Sequence, residues 1–310
     1  MILCAGEALI DMLPRMSTAN EHAFAPVAGG SVFNTAIALG RLGAPVKFFT
    51  GLSTDLFGRK LEGALLASGV DYTLCARSDR ATTLAFVELT DGHAKYAFYD
   101  EGTAGRRLTA ADLPDPAALA NVTALFVGGI SLMVEPCGAA YEALALREAA
   151  RRIVMIDPNI RPSFIKDEAA YRTRINRLIA AADIVKVSDE DLRWLAGDGS
   201  LSELAARMLE KGPTIVCVTA GSDGVTAHLK DRAYTATGRA VEVVDTVGAG
   251  DTFNAGFLAG LERAGRLDKK KLADITRKDL LSALTLGNAA AAVTVSRAGA
   301  NPPTAEELGL

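Results

Sequence analysis

A short apolar, β-branched run followed by a segment of helical periodicity recurs along the chain, and this recurrence constrains the fold more than any other feature. The strand-like runs are residues 2–4, 46–50, 123–127, 153–156, 184–187 and 214–218, and the helical patterns are residues 31–42, 56–66, 136–151, 168–181 and 201–210. Strands joined by helical crossovers pair in parallel, because the crossover returns the chain to the same edge of the sheet. The sequence therefore predicts an α/β fold with a mostly parallel sheet covered by helices on both faces.

One region departs from this alternation. Residues 83–90 and 94–99 are both strand-like and are joined through Asp91-Gly92, a dipeptide typical of β-hairpins. No helix separates the two runs, so they cannot be parallel neighbours in the main sheet. Together with extended pieces at residues 9–13 and 24–27 they predict a small antiparallel sheet beside the core, although an ordinary edge hairpin accounts equally well for residues 83–99 alone.

Composition narrows the class of protein. The chain has 310 residues, 49% of them apolar, which suits one large α/β domain or two smaller ones. With 37 acidic and 33 basic residues it carries a formal net charge of -4, which disfavours a dedicated binder of nucleic acid or anionic membranes. Glu7 and Asp11 interrupt the N-terminal apolar run, and the four cysteines are scattered without CxxC spacing. These features predict a cytoplasmic protein with free thiols.

The most informative stretch is "DTVGAGDTFNAG", residues 245–256. Gly248, Ala249 and Gly250 form a small-residue turn that leads through Asp251 into a helical pattern. Free N–H groups at the start of a helix bind anions such as phosphate. Asp251 could simply cap this helix. Alternatively, if the amides hold a phosphoryl group during transfer, the carboxylate could accept the proton of the attacking hydroxyl.

The two commonest nucleotide-binding motifs are not present. No stretch fits GxxxxGK[ST], and "GAGDTF" lacks the last glycine of a dinucleotide fingerprint and lies late in the chain. A phosphate site in this chain must therefore be built in another way.

Two further groups of polar residues accompany the N-terminal part. Gly29 and Gly30 precede a helix that carries Asn34 in its first turn, where paired glycines permit close approach of a ligand and the amide could bind a polyol. Asp11 is a lone acid in an apolar run. If its carboxylate is buried, it needs hydroxyl donors or a cation as partners, whereas a carboxylate that faces solvent needs no such partner.

Polar clusters also follow several predicted strands. Asn159 and Arg161 follow the run at 153–156, Lys186 begins "KVSDED", and "TAGSDG" follows the run at 214–218. The C-terminal ends of parallel strands lie at one edge of the sheet, where ligands bind. Lys186 would supply a cation for phosphates and the acids after it would supply oxygens for magnesium.

With these residues considered together, the chain resembles the ribokinase-like (pfkB) carbohydrate kinases over essentially its whole length. "GGSVFN" at 29–34 resembles the N-terminal signature of that family and "DTVGAGDTFNAG" the C-terminal one. The resemblance implies a single kinase domain over 1–310. It implies a ribokinase-like three-layer sandwich, with a mostly parallel central sheet between helices and a small antiparallel β lid built from segments near 9–27 and 83–100. It also implies a homodimer formed through that lid.

The resemblance further assigns roles to single residues. Asp251 would be the catalytic base, and Gly248, Ala249, Gly250 and Asp251 together would form the anion hole. The sugar-binding residues would be Asp11, Gly29, Gly30, Asn34 and Arg161, with Tyr96 and Phe98 on the lid strand covering the sugar or simply packing the lid. The ATP-binding residues would be Lys186, Ser188, Thr219, Gly221, Gly224 and Asn288. Asp245 would lie near a K⁺ site that reaches residues 297–299.

One position departs from the family pattern. Many members have an NxxE motif that organises Mg²⁺, and here the aligned residues are Ser188 and Asp191, so that the shorter acid would act on Mg²⁺ through water.

Two other stretches bear on the substrate. "DPNIRPSF" at 157–164 resembles bacterial fructokinases and 2-keto-3-deoxygluconate kinases, and "KVSDE" at 186–190 resembles the fructokinase branch. The implied reaction is ATP-dependent phosphorylation of a primary hydroxyl, with fructose giving fructose 6-phosphate. The alternatives are a 2-keto-3-deoxygluconate kinase, a ribokinase, or a non-catalytic sensor of sugar or nucleotide on the same fold.

Overall fold

The structure is a computed structural model that describes the backbone of residues 1–90 and 93–310 and the side chains of residues 1–86 and 97–310. The strands are β1 (Ile2–Ala5), β2 (Leu9–Met16), β3 (His22–Gly29), β4 (Val46–Phe49), β5 (Gly51–Ser53), β6 (Ala76–Ser78), β7 (Leu84–Thr90), β8 (His93–Tyr99), β9 (Ala124–Gly128), β10 (Ile153–Asp157), β11 (Ile184–Ser188), β12 (Ile215–Thr219), β13 (Val225–Leu229) and β14 (Arg232–Ala236). The helices are α1 (Ser31–Arg41), α2 (Leu56–Ala67), α3 (Cys137–Glu148), α4 (Glu168–Ala181), α5 (Asp189–Ala196), α6 (Leu201–Leu209), α7 (Ala249–Arg263), α8 (Lys269–Ala273) and α9 (Arg277–Val295).

The main sheet has the strand order β14-β13-β12-β11-β10-β9-β1-β4. The six strands from β12 to β4 in that order pair in parallel, and the hairpin of β13 and β14 adds two antiparallel strands at one edge. The predicted parallel sheet is therefore confirmed. The parallel strands are covered on both faces, which is why they read in the sequence as continuous apolar runs.

Successive strand residues belong to two separate cores. Ile2 and Cys4 pack on one face with α1, α2, α7 and α9, whereas Leu3 and Ala5 pack on the other face with α3, α4, α5 and α6. This division follows from the two-residue period of a strand, which turns alternate side chains to opposite faces. The result is the predicted three-layer sandwich.

Helix α7 packs closely against α9 through small residues. A Cβ atom on Gly256 would lie 2.8 Å from the Cα atom of Gly287, and one on Gly260 would lie 2.6 Å from the Cα atom of Ala283. Because the backbones touch at both points, no larger residue fits without moving one helix. The N-terminus of α7, which carries Asp251, is thereby held in a fixed place above the sheet.

A second, smaller sheet has the order β3-β2-β7-β8. β2 and β3 pair antiparallel, as do β7 and β8, so residues 83–99 contribute to the predicted small sheet rather than to an edge of the main one. The two hairpins are joined by a parallel pairing in which Ile10 lies opposite Leu84. Asp91 and Gly92, which suggested the second hairpin, lie outside the described residues.

All four cysteines are free and buried, as predicted. Within the described part of the chain, every helix is too short or too polar to cross a membrane.

Candidate active site

A cavity of about 830 Å³ opens where the C-terminal edge of the main sheet meets the small sheet. Ten residues predicted from the sequence line it: Asp11, Gly30, Asn34, Phe98, Arg161, Lys186, Gly248, Ala249, Gly250 and Asp251. Asn159, which was grouped with Arg161 at the end of a predicted strand, also lines the cavity, and so do Glu7, Ser31 and Asp157, for which no role was predicted. The structure thus brings together most of the residues assigned to sugar binding and phosphoryl transfer.

Asp251 lies at the third position of α7 and is buried. The cap of this helix is Gly248, whose φ of 78° is in the left-handed region that favours glycine. The Asp251 side chain does not bond to the helix amides. Its Oδ2 atom accepts a hydrogen bond of 2.9 Å from Nδ2 of Asn34. The interpretation of Asp251 as a helix cap is therefore wrong, and its carboxylate is held toward the cavity from α1.

The turn before Asp251 leaves backbone donors free. Among the hydrogen bonds of the described residues, none uses the N–H groups of Gly248, Gly250 or Asp251, while Ala249 donates to the Thr246 carbonyl at 3.3 Å. These groups lie at the positive end of the α7 dipole and border the cavity. The geometry is that of an anion site beside a carboxylate.

The protonation of Asp251 follows from its surroundings. Burial raises the pKa of this carboxyl to about 7, against the opposing effect of the hydrogen bond from Asn34. The charge of Asp157 raises the pKa further and that of Lys186 lowers it. A carboxylate with a pKa near neutrality is suited to accept a proton at physiological pH.

Lys186 lies within β11 rather than beyond its end, and it is buried. Its Nζ atom donates to Oδ2 of Asp157 at 3.0 Å. Burial lowers the pKa of Lys186, but the charge and hydrogen bond of Asp157, together with the charges of Asp191 and Asp251, outweigh burial and hold the pKa above its ordinary value. A Cβ atom on Gly250 would lie 2.9 Å from Nζ, so this ammonium group sits directly under the free amides of the turn.

Asp11 and the paired glycines form another part of the cavity wall. Asp11 is half-buried, and burial raises the pKa of its carboxyl to about 6. A Cβ atom on Gly29 would lie 2.2 Å from Oδ2 of Asp11, and Gly30 has a φ of 108° immediately before α1. The backbone conformation of Gly30 favours glycine, and a side chain at Gly29 would displace the Asp11 carboxylate. Asp11 therefore faces the cavity and not bulk solvent.

Phe98 and Arg161 line the wall on the side of the small sheet. The Phe98 ring contacts the Phe164 ring edge-to-face, with 4.2 Å between centroids. Phe164 belongs to a short 3-10 turn, Pro162–Phe164, that follows Arg161 directly. This contact joins the lid strand β8 to the loop that carries Arg161. Tyr96, also predicted to cover the sugar, lies on β8, and its side chain is outside the described residues.

The residues predicted to organise Mg²⁺ lie outside the cavity lining. Ser188 caps α5 by accepting a hydrogen bond from the Asp191 amide at 3.0 Å, and Oδ1 of Asp191 accepts from the Ile160 amide at 3.2 Å. Burial and the charge of Asp157 raise the pKa of Asp191. No group of three or more acidic, His or Cys side chains able to hold a metal occurs among the described residues. A divalent ion here would have to be bound largely through water and substrate oxygens, which is typical of Mg²⁺.

The other predicted nucleotide residues form a separate cluster beyond the lining. Asn288 donates from Nδ2 to the carbonyls of Ala236, at 2.8 Å, and Thr237, at 3.1 Å. Gly224 packs against the same backbone, since a Cβ atom on it would lie 2.3 Å from the Ala236 carbonyl. Thr219 ends β12, and Gly221 begins the short turn that leads to Gly224.

Asp245 lies in the loop before α7. Its Oδ1 atom accepts from the Val247 amide at 3.0 Å and its Oδ2 atom accepts from the Gly299 amide at 2.9 Å. The structure thus brings Asp245 to the stretch at 297–299, as the predicted monovalent-cation site requires.

Three buried or half-buried polar residues of the site, Glu7, Asp157 and Asn254, were not predicted from the sequence. Glu7 accepts hydrogen bonds from the Ser31 amide and hydroxyl and from the Ser131 amide, and so ties the start of α1 to the loop after β9. Asp157 and Asn254 bond to each other at 2.7 Å. For Glu7 and Asp157 the available signal was a charged residue at or just beyond the end of a buried strand. Nothing in the sequence distinguished Asn254 from an ordinary buried helix residue.

Comparison with known proteins agrees with this arrangement. The family model described as pfkB family carbohydrate kinase matches residues 1–307. The chain is 54% identical over 280 residues to a fructokinase of Rhizobium leguminosarum bv. trifolii, covering 90% of this chain and 85% of that one.

Solved structures show the same fold. A fructokinase with bound ATP from Xylella fastidiosa superposes with a TM-score of 0.90 at 29% identity, covering 99% of this chain and 97% of that one. A fructokinase double mutant from Vibrio cholerae O395, in a form with fructose, ADP and potassium bound, superposes with a TM-score of 0.84 at 25% identity, covering 96% and 93%. The chain therefore belongs to the pfkB family of carbohydrate kinases.

Proposed function

We propose that this kinase transfers the γ-phosphoryl group of ATP to the primary hydroxyl of fructose and forms fructose 6-phosphate and ADP. The observation that carries the proposal is the carboxylate of Asp251 beside unpaired backbone amides on one helical turn. Such a turn provides a base for the alcohol and donors for the phosphoryl group in the same place. The 54% identity to a fructokinase supports fructose as the acceptor.

In the proposed reaction, Asp251 accepts the proton of the sugar hydroxyl. The hydroxyl oxygen forms a bond to the γ-phosphorus as the bond from that phosphorus to the bridging oxygen of ADP breaks. The free amides of Gly248, Gly250 and Asp251 and the ammonium group of Lys186 stabilise the charge that develops on the phosphoryl oxygens. Because Asp251 must be ionised to act, turnover should fall as the pH drops through about 7, its pKa in the fold.

The sugar would bind between the main sheet and the small sheet. Asp11 and Arg161 both line this space and offer hydrogen-bond partners to hydroxyl groups, while Asn34 reaches both the cavity and Asp251. Phe98 would cover the sugar from β8. In this proposal the segments near 9–27 and 83–100 act as a lid on a single domain of residues 1–310.

ATP would extend from the turn before α7 along the C-terminal edge of the main sheet. Thr219, Gly221, Gly224 and Asn288 would contact it at the far end, with Ser188 and Lys186 nearer the phosphates. Mg²⁺, when bound with ATP, supplies positive charge to the phosphate oxygens, and Asp191 would hold it through water. The potassium-bound relative supports a K⁺ site at Asp245 and the Gly299 loop.

A coupled assay of ADP release tests this function. The purified chain is given ATP and Mg²⁺ with fructose, ribose, 2-keto-3-deoxygluconate or adenosine, and fructose should give the highest kcat/KM. A carboxylate substrate should be poorer, because Arg161 and Lys186 are the cationic side chains among the described lining residues and Lys186 is already paired. Preferred turnover of another acceptor would overturn the assignment of fructose. Saturable sugar binding without ADP release would favour a sensor.

The outer face of the small sheet supports a homodimer. Tyr99 follows the cavity-facing Phe98 and therefore points away from the cavity, and Phe24 and Tyr99 are each about half exposed or more. Both rings contact Phe86 edge-to-face. A second copy of the chain would cover this aromatic patch, defined as Phe24, Phe86 and Tyr99. Light scattering should give twice the chain mass for the wild type and the monomer mass for Phe24→Ser with Tyr99→Ser, and a monomeric wild type would overturn the dimer.

The four buried free thiols support a cytoplasmic location, because thiols persist in that reducing compartment. Cell fractionation with a soluble cytoplasmic marker tests it.

A further inference from the structure

The side chain of Asp157 is buried at the end of β10 and bonds to two elements of the phosphoryl-transfer site at once. We propose that Asp157 is a positioning residue that fixes Lys186 beneath the turn of α7 and, through Asn254, locks that turn to the sheet. The inference rests on the proposed function, because it concerns the step in which the phosphoryl group moves.

One carboxylate oxygen makes the connection. Oδ2 of Asp157 accepts from Nζ of Lys186 at 3.0 Å and from Nδ2 of Asn254 at 2.7 Å. All three side chains are buried, so solvent does not compete for these bonds. Asp157 belongs to β10, Lys186 to β11 and Asn254 to α7. A single group therefore ties two strands of the sheet to the helix that carries Asp251.

The position of Lys186 explains why it needs such a partner. A lysine has a flexible four-carbon stem, and a buried ammonium group without a counter-charge is costly. Asp157 supplies the counter-charge and holds Nζ at one point, next to Gly250. Charge that is in place before the reaction stabilises the transition state without reorganisation. Asp157 contributes this preorganisation without itself donating to phosphate.

The side chain of Asn254 gives an independent indication that its orientation is set by the contact with Asp157. Its Oδ1 atom is buried and has no hydrogen-bond partner among the described residues. An unsatisfied buried acceptor destabilises a fold. The orientation is nevertheless the one in which Nδ2 donates to Asp157, one helical turn after Asp251. The bond to Asp157 is therefore the one side-chain hydrogen bond that this amide makes among the described residues.

A double-mutant cycle with Asp157→Asn and Lys186→Met tests the proposal. Asp157→Asn should lower kcat by about 10–100-fold and change KM for the sugar by less than about threefold, since Asp157 acts on the transferred group through Lys186. In the Lys186→Met background, Asp157→Asn should lower kcat by less than about threefold, because the lysine that Asp157 positions is no longer present. A matched control is Asp183→Asn, which disrupts the ion pair of Asp183 and Lys269. It should leave kcat unchanged.

Two results would overturn the proposal. One is a kcat of Asp157→Asn within about twofold of the wild type, and the other is an undiminished loss in the Lys186→Met background. A general loss of folding would lower the fraction of active enzyme equally in every background, and thermal unfolding of each variant identifies it.

A binding measurement separates this proposal from the choice of sugar. If fructose is not phosphorylated, the proposed substrate fails, and the cycle is repeated with whichever sugar of the panel is turned over. Without any sugar, calorimetry should show that Asp157→Asn weakens binding of ATP by at least about threefold and leaves ADP within about twofold, because ADP lacks the γ-phosphate. Equal effects on ATP and ADP would contradict a role at the transferred group.

Discussion

The two walls of the cavity are built in different ways. On the side of the main sheet, Asp251, Lys186 and Asp157 are buried on regular elements and are each bonded to another of the site's side chains. On the side of the small sheet, Asp11 and Phe98 are only half-buried. Rigid placement suits groups that must stabilise a transition state, whereas a less buried sheet can move to admit a substrate. Changes in the first wall should therefore affect kcat, and changes in the second should affect KM.

The largest effect is expected from Asp251→Asn, which keeps the size and the hydrogen bond to Asn34 but removes the base. The change should lower kcat by about 10²–10⁴-fold, as measured by ADP release. Turnover near that of the wild type would remove Asp251 from the mechanism.

The same variant should be more stable than the wild type. In the folded chain the pKa of Asp251 is about 7, which is higher than the ordinary value of an aspartate. The unfolded chain therefore loses this proton at a lower pH than the folded chain does. As a result, the free energy of unfolding decreases as the pH rises from about 4 to 7. Asparagine does not ionise. Equilibrium unfolding at pH 8 should therefore show a gain on the order of 1–3 kcal/mol, and the gain should vanish near pH 4.

Asp11→Asn should mainly weaken sugar binding. A hydrogen bond from a sugar hydroxyl to a carboxylate contributes about 1.5–3 kcal/mol to the binding free energy. Its loss should therefore raise KM for the sugar by about 10–100-fold. The value of kcat should fall much less, because Asp11 lies on β2 and away from the α7 turn. A loss confined to kcat would contradict the division between the two walls.

Asn34→Ala tests the connection between the two walls of the cavity, because Asn34 lines the sugar space and also donates a hydrogen bond to Asp251. The hydrogen bond from Asn34 lowers the pKa of Asp251, so its removal should raise that pKa and move the acid limb of the kcat profile to higher pH by about 0.5–1 unit. Turnover at pH 7 should fall about tenfold. The exposed Asn176→Ala on α4 is the control and should leave the pH profile unchanged.

The smallest effect is expected from Phe164→Ala. Loss of the edge-to-face contact with Phe98 should loosen β8 relative to the loop of Arg161 and raise KM for the sugar by about 3–10-fold. The value of kcat should stay within about twofold, because Phe164 does not touch the α7 turn. An equal fall in kcat would show that the two walls act as one unit.

Much of the fold was predictable because its signals are local. Continuous apolar runs such as residues 2–4 and 153–156 predicted buried parallel strands, and each lies within the corresponding strand, β1 or β10. The parallel pairing of Ile10 with Leu84 was not predictable, because nothing in either segment specifies its partner across about 70 residues.

The site was predictable in part for the same reason. The turn of Gly248 and Gly250 and the acid after it are visible in one short stretch, and so is the polar end of "DPNIRP". That Asp251 is not a helix cap depends on Asn34, which lies 217 residues earlier in the chain. The importance of Asn254 could not be seen, because its spacing from Asp251 fits ordinary packing of a buried helix equally well.

The βα alternation, the small-residue turn and the kinds of polar group at the strand ends follow from the amino-acid sequence alone, since these depend on residues close together in the chain. Which of these groups meet depends on the tertiary structure. Asn34 reaches Asp251 because α1 packs against α7, and Asp157 reaches Lys186 and Asn254 because β10 lies between β9 and β11 beneath that helix. The pKa of Asp251 also depends on the tertiary structure, because it is set by burial and by charges from distant segments and not by the neighbours of Asp251 in the sequence.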